Sequence, residues 1–217
     1  MSFSHIKYKR ACKDYVANWE AIELALYNLC KRHPDHQSQG SINAKLWIIG
    51  RTYATGIERK ISSQGSQGSS MTQLGEHFWR NRHQIDKVLG DLDLRKVNEP
   101  LTPRKLTRIL DAHGRMAGIV QGVLREGQTP RSFVSKYLHF HNPAVPIFDS
   151  VAVAALRKEY RRARPDGSFE IPATADPQYA DFLIRFWRLY QDACASGEKV
   201  TVKLLDNYLL ALAKDAK

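Results

Sequence analysis

The segment Pro130 to Leu156, PRSFVSKYLHFHNPAVPIFDSVAVAAL, constrains this chain more than any other. It reads as an apolar helix, a Pro-marked turn and a single acidic residue, Asp149, that opens a second helix. An aspartate at a helix N-terminus accepts backbone N–H bonds and is held ionised by the helix dipole. Val145, Pro146, Ile147 and Phe148 precede it and Val151, Ala152 and Val153 follow. The carboxylate therefore stands among apolar side chains, where one charge has large effects. Two readings follow. Asp149 is either a cap worth about 0.5–2 kcal/mol, or an aimed anion awaiting positive charge.

Helical periodicity extends over most of the chain. Tyr15, Trp19, Ile22, Leu26 and Leu29 step by four and three and predict one amphipathic helix ending near His33-Pro34. Residues Ala44 to Lys60 and Thr72 to Leu89 predict two more. Thr102-Pro103 supplies an N-cap and a first-turn proline for a stripe of Leu106, Leu110, Ala117, Val120 and Leu124, closed by Gly127. Asp176-Pro177 opens a helix carrying Tyr179, Leu183, Phe186 and Tyr190. The last stripe is Val202, Leu205, Leu209 and Leu212. No segment alternates with period two, so strands are not expected. With 217 residues, 43% of them hydrophobic, the expectation is a single all-α unit over 1–217, with one core or two small lobes sharing a groove. The run 62–70, SSQGSQGSS, is too polar to bury itself and is expected to be a mobile loop or lid.

Charge narrows the partners. Thirty-three Lys and Arg against twenty-two acids leave +11, which favours polyanions. Basic clusters stand at Arg80, Arg82 and His83 and at Arg161, Arg162 and Arg164. The three cysteines are far apart, as expected of reduced thiols, and do not form the close group of four that an iron–sulfur cluster needs. No apolar run approaches the roughly 20 residues of a membrane span. The expectation is a cytoplasmic monomer with no cofactor, no metal and no membrane association.

On the 130–156 stretch the chain resembles the helix-hairpin-helix DNA glycosylases, the superfamily of endonuclease III and of the adenine and 8-oxoguanine glycosylases. Arg131-Ser132 opens the first helix, Pro146-Ile147-Phe148 forms the apolar run, and Asp149 follows Arg131 by eighteen positions. The resemblance implies a glycosylase-like bundle with two lobes around a groove and a catalytic region over about 103–156. The family's hairpin carries a glycine pair whose amides touch a DNA phosphate. Here Glu126-Gly127-Gln128-Thr129-Pro130 keeps one glycine, which shifts the expected DNA contacts to Arg80, Arg82, Arg131, Ser132, Arg161, Arg162 and Arg164.

The resemblance also implies chemistry. A flipped base would be released through an oxocarbenium-like state, with Asp149 as the anion and the guide of the attacking water. Strand-cleaving relatives use a Lys where this chain has Arg131 or Ser132, which implies a monofunctional enzyme leaving an abasic site. Lys136 lies about 140° around the helix from Arg131. It is either a nucleophile entering the pocket from another face or a solvated surface lysine. His139 and His141, beside Tyr137, are about 200° apart, a poor geometry for joint metal binding. They are expected either in the base pocket or as satisfied core histidines. Arg51, Thr55 and Glu58 share a helical face, giving a pocket wall in which Arg51 or Tyr53 reads the base and Glu58 positions water, or an ordinary exposed charge pair. The substrate class expected is a modified or damaged base, including hypermodified viral bases in antiphage defence. The rival expectation is a non-catalytic DNA-binding protein on the same fold.

Overall fold

The computed structural model describes residues 3–53, 55–62, 69–92, 100–161, 164–165 and 167–214. The protein is all-α. Its helices are α1 (His5–Asn18), α2 (Glu20–Arg32), α3 (Gln39–Thr52), α4 (Ser70–Arg80), α5 (Arg82–Asp91), α6 (Pro103–Gln121), α7 (Arg131–His141), α8 (Ser150–Glu159), α9 (Pro177–Ala195) and α10 (Val202–Lys214). Among the described residues the one β feature is an isolated bridge between Ile61 and Leu124.

α7 is the axis of the molecule. Every residue from Phe133 to His141 is buried, and the helix packs on α2, α3 and α6. A helix this short that is buried on all sides forms because its neighbours enclose it, since tertiary packing supplies most helical stability. A second group joins the two ends of the chain, with α10 lying on α1 and α8.

The local capping signals act where they stand. Thr102, Asp149 and Asp176 each accept a backbone N–H from the first turn of α6, α8 and α9. The stripes of α6, α9 and α10 face the core at Leu106, Leu110, Val120, Tyr179, Leu183, Phe186, Tyr190, Val202, Leu205 and Leu209. Each such side chain contributes roughly 1.5–3 kcal/mol on burial.

Three predicted helices are divided differently. The first breaks at Trp19, whose φ of −127° interrupts the run, so the buried face of α2 is Glu23, Leu26 and Cys30. Trp19 and Ile22, expected inside, are 53% and 50% exposed. The 44–60 helix stops at Thr52. Gly56 adopts φ +65°, a left-handed conformation that ends an α-helix, and a short 3-10 turn, Ile57–Lys60, follows. The 72–89 helix is split at Asn81, whose backbone N–H closes onto His77 O. Most of the Ser/Gly/Gln loop, 63–68, lies outside the described residues, as does Arg162.

Candidate active site at the N-terminus of α8

The link from α6 to α7 is short. Gly127 turns the chain at φ +74°, Gln128 N–H closes on Arg125 O at 3.2 Å, and Lys60 Nζ donates to Thr129 O at 2.8 Å. α7 then starts at Arg131. The Arg131 guanidinium does not project to solvent. It forms a two-pronged ion pair with Asp176 at 2.6 and 2.7 Å and lies 5.3 Å from the Phe148 ring centroid. The expected DNA contact at Arg131 is therefore an internal clamp between the starts of α7 and α9. Ser132 is half-buried beside it.

That clamp helps to fix the turn leading to Asp149. Tyr179 donates its hydroxyl to Pro146 O at 2.8 Å, and Phe148 N–H donates to Ser135 Oγ at 2.9 Å. Asp149 then caps α8, with Oδ1 accepting from Val151 N–H at 2.9 Å. Its other oxygen, Oδ2, is 3.3 Å from Lys136 Nζ. The Asp149 side chain keeps 29% of its surface open, whereas that of Lys136 keeps 5%.

This corrects the expected placement of Lys136. Its ammonium is neither at the surface nor directed away from Asp149. It is inside, donating to Asp149 and to Tyr53 O at 3.0 Å. The helical angle from Arg131 does not separate inside from outside, because α7 has no outside over this stretch.

The expected base pocket is redistributed. Tyr137, His139 and His141 are core residues with partners. Tyr137 gives its hydroxyl to His36 Nε2, 2.5 Å away. His139 Nδ1 donates to Val145 O at 2.7 Å, so Nε2 accepts from Tyr27 OH. His141 Nδ1 donates to Tyr137 O at 2.9 Å and Nε2 accepts from Lys45 Nζ at 3.2 Å. Burial first, and Lys203 second, lower His139 to about 3. His141 is pushed well below its ordinary value by burial and by Lys45, so both rings are neutral. Arg51 is exposed, paired with Glu58 at 2.8 Å and stacked 4.0 Å from the Trp47 ring centroid. Thr55 lies off that face, buried and bonded to Gly50 O at 3.1 Å. Among these residues Tyr53 stays at the site, half-buried, with its ring 4.9 Å from Phe140 and its carbonyl on Lys136.

Four residues not singled out from the sequence, Glu23, Tyr27, Lys203 and Asp206, complete the surroundings together with Tyr15 of the first stripe. Lys203 of α10 bridges Glu23 of α2 at 2.8 Å and its neighbour Asp206 at 3.0 Å. Tyr15 donates to Glu23 at 2.9 Å, and the Glu23 charge acts on the Tyr53 hydroxyl. Burial, then the Glu23 charge, drive the phenols of Tyr15, Tyr27 and Tyr53 far above their ordinary range, so all three stay neutral. Burial raises the Asp206 carboxyl against the pull of Lys203, and the charges of Glu23 and Asp149 add to the rise. Burial opposes the Lys203 ammonium, but Asp206 and Glu23 outweigh it and hold Lys203 above its ordinary value. The one signal in the sequence is Glu23, an acid between the apolar positions Ile22 and Leu26; its ion-pair partner, Lys203, lies 180 positions away.

Compared with known proteins, the chain matches no family model, no curated protein and no solved structure. Among the described residues no three His, Cys, Asp or Glu side chains group as metal ligands, and no helix is long and apolar enough to cross a membrane. Of the other basic side chains expected on DNA, Arg80, Arg161 and Arg164 are at the surface and Arg82 is half-buried. Arg80 is exposed beside Glu76 at 3.6 Å, Arg82 lies 4.4 Å from the Trp79 ring centroid, and Arg161 and Arg164 are exposed.

Proposed function

We propose that the protein hydrolyses the N-glycosidic bond of a modified or damaged base in DNA and leaves an abasic site. The observation that carries this reading is Asp149: one oxygen is locked by the first turn of α8, the other meets a buried ammonium, and part of the carboxylate is open to solvent. An anion held this way needs no rearrangement to stabilise a cation, and pre-set charge is the largest contributor to many enzymatic rates. In this reading residues 103–156 form a helix-hairpin-helix-like catalytic region, and the helices make two lobes around a groove for DNA. The nucleotide is flipped out, positive charge grows on the sugar as the bond to the base breaks, and Asp149 stabilises it and guides water to C1′. Arg80, Arg82, Arg161 and Arg164 supply phosphate contacts.

The Lys136 distance favours a second reading of the same site, in which strand cleavage follows base release. A neutral Lys136 amine, its proton passed to Asp149, attacks C1′ of the abasic sugar and forms an imine with loss of water. The monofunctional and strand-cleaving forms separate cleanly under borohydride. A trapped adduct that disappears in Lys136→Ala establishes the amine chemistry; no adduct leaves water as the nucleophile.

Mass spectrometry of free bases tests the activity and its substrate together. DNA from genomes with oxidised, alkylated and hypermodified bases is incubated with the protein and with Asp149→Asn. Release by the wild type and its loss in the variant is the expected result. Tight DNA binding with no base released from any of these genomes would assign the protein to non-catalytic DNA binding.

A further inference from the structure

The buried side chains around Asp149 do not balance in charge. Asp149, Glu23 and Asp206 contribute three carboxylates, while Lys136 and Lys203 contribute two ammonium groups. The other titratable groups facing this seam are the phenols of Tyr15 on α1, Tyr27 on α2 and Tyr53 after α3, and the His139 imidazole on α7, and all are neutral. The groups are also connected. Asp206 meets Lys203 and Lys203 meets Glu23, the Glu23 charge acts on Tyr53, and the Tyr53 carbonyl holds the Lys136 ammonium that touches Asp149. The chain closes electrostatically, since Asp149 acts on Asp206 across the α8–α10 contact.

Lys136 by itself would cancel Asp149. A single Asp–Lys pair presents a dipole rather than a net anion, and a dipole is a weak counter-ion for a cationic sugar. The second pair changes this because Lys203 must serve two acids and can neutralise one. Among the described residues the excess negative charge has no internal cation, and it lies behind Asp149, the most open of the five charged side chains.

We propose that Glu23 and Asp206 are positioning residues that supply the site's net negative charge, so that the occupant favoured at Asp149 is a cation at the sugar position. This rests on the glycosylase reading and adds residues from α2 and α10 to it. Neither acid touches substrate. They act by their charge, of which Lys203 neutralises one, and so fix how much of the Asp149 charge is left to the ligand. Burying an uncompensated carboxylate costs stability, and such a cost is expected where function uses the charge.

The test compares two duplex probes, one with a pyrrolidine at an abasic position, which is protonated, and one with neutral tetrahydrofuran there. The wild type should prefer the pyrrolidine duplex by about a hundredfold, and Asp206→Asn and Glu23→Gln should each cut that preference about tenfold, as removal of one nearby charge in a partly buried site does. Affinity for the tetrahydrofuran duplex should stay within about twofold in both variants, because phosphate contacts are untouched. An unchanged preference in both folded variants would overturn the role of Glu23 and Asp206 and leave the Asp149 reading standing. A wild type with no preference would overturn the Asp149 reading itself. If a variant loses its cooperative melting transition, the wild type reads the same charge by pH: burial raises the Asp206 carboxyl, so it takes up a proton as pH falls and the preference should shrink on acidification. A preference that stays flat down to the acid limit of folding would contradict the proposal.

Discussion

Two polar networks are buried among the described residues, and they differ in charge. The first joins α3, α5 and α7. His36 Nδ1 donates to Asp86 at 2.6 Å, His36 Nε2 accepts from Tyr137, and Lys45, fully buried, donates to Asp35 O at 3.1 Å and to His141. One carboxylate and one ammonium balance, and burial lowers His36 to about 4 with Lys45 adding to the shift. The second network, around Asp149, has three acids for two lysines and reaches solvent. The first also reaches solvent, at Asp86, whose side chain keeps 23% of its surface open, but its charges balance, and a balanced network rigidifies a core. An unbalanced one that opens at its acidic end is arranged to receive something positive. The same residue types thus serve architecture in one place and chemistry in the other.

The histidines of the core give the largest predicted effect. His36 and His113 are lowered to about 4, His139 to about 3, and His141 well below its ordinary value, against 6.5 for a free imidazole. For each, the unfolded chain binds a proton that the folded protein refuses between the folded value and about 6.5. Their stabilising contribution is complete above about 6.5 and is lost as pH falls toward 4. At about 1.4 kcal/mol per unit and per histidine, several kcal/mol should vanish across that window. Urea melts at a series of pH values check it, and a stability flat from about pH 7 to about pH 4.5 would show that these rings are not held neutral.

How much of this is legible in the sequence depends on the range of the interaction. The caps Thr102, Asp149 and Asp176 are local, since a side chain reaches an N–H two or three residues on, and they are readable. The core stripes of α6, α9 and α10 are readable for the same reason. Trp19 and Ile22 mislead because a helix break at Trp19 rotates the following face, so that Glu23 rather than Ile22 points inward. Lys136 misleads because a helix buried all round carries no amphipathic signal. Lys203 and Asp206 give no warning, since an i, i+3 charge pair on the last helix looks like a solvated face until α2 is packed on it.

A smaller effect separates the two networks by mutation. Tyr137→Phe leaves His36 Nε2 without its donor and should cost about 1–3 kcal/mol, measured by urea melts, with base release within about twofold of wild type. A large loss of base release in this variant would mean that the core network also feeds the site.

The smallest expected effect lies at the surface. Replacing Arg161 and Arg164 with Gln should weaken DNA binding alike for all sequences and lower the salt dependence of log Kd by about one for each phosphate that is no longer neutralised. Changing Tyr53, which stays at the site, should alter base choice and leave that slope alone. Titrations at several salt concentrations distinguish them, and a slope indifferent to Arg161 and Arg164 would place the DNA on another face.

The most direct test is single-turnover base release by wild type and Asp149→Asn at equal folded concentration. Asn keeps the cap on α8 but carries no charge, so melting and DNA affinity should be nearly unchanged while release falls by about a thousandfold or more. A well-folded Asp149→Asn protein that releases base at the wild-type rate would contradict the assignment of Asp149 and, with it, the functional difference between the two networks.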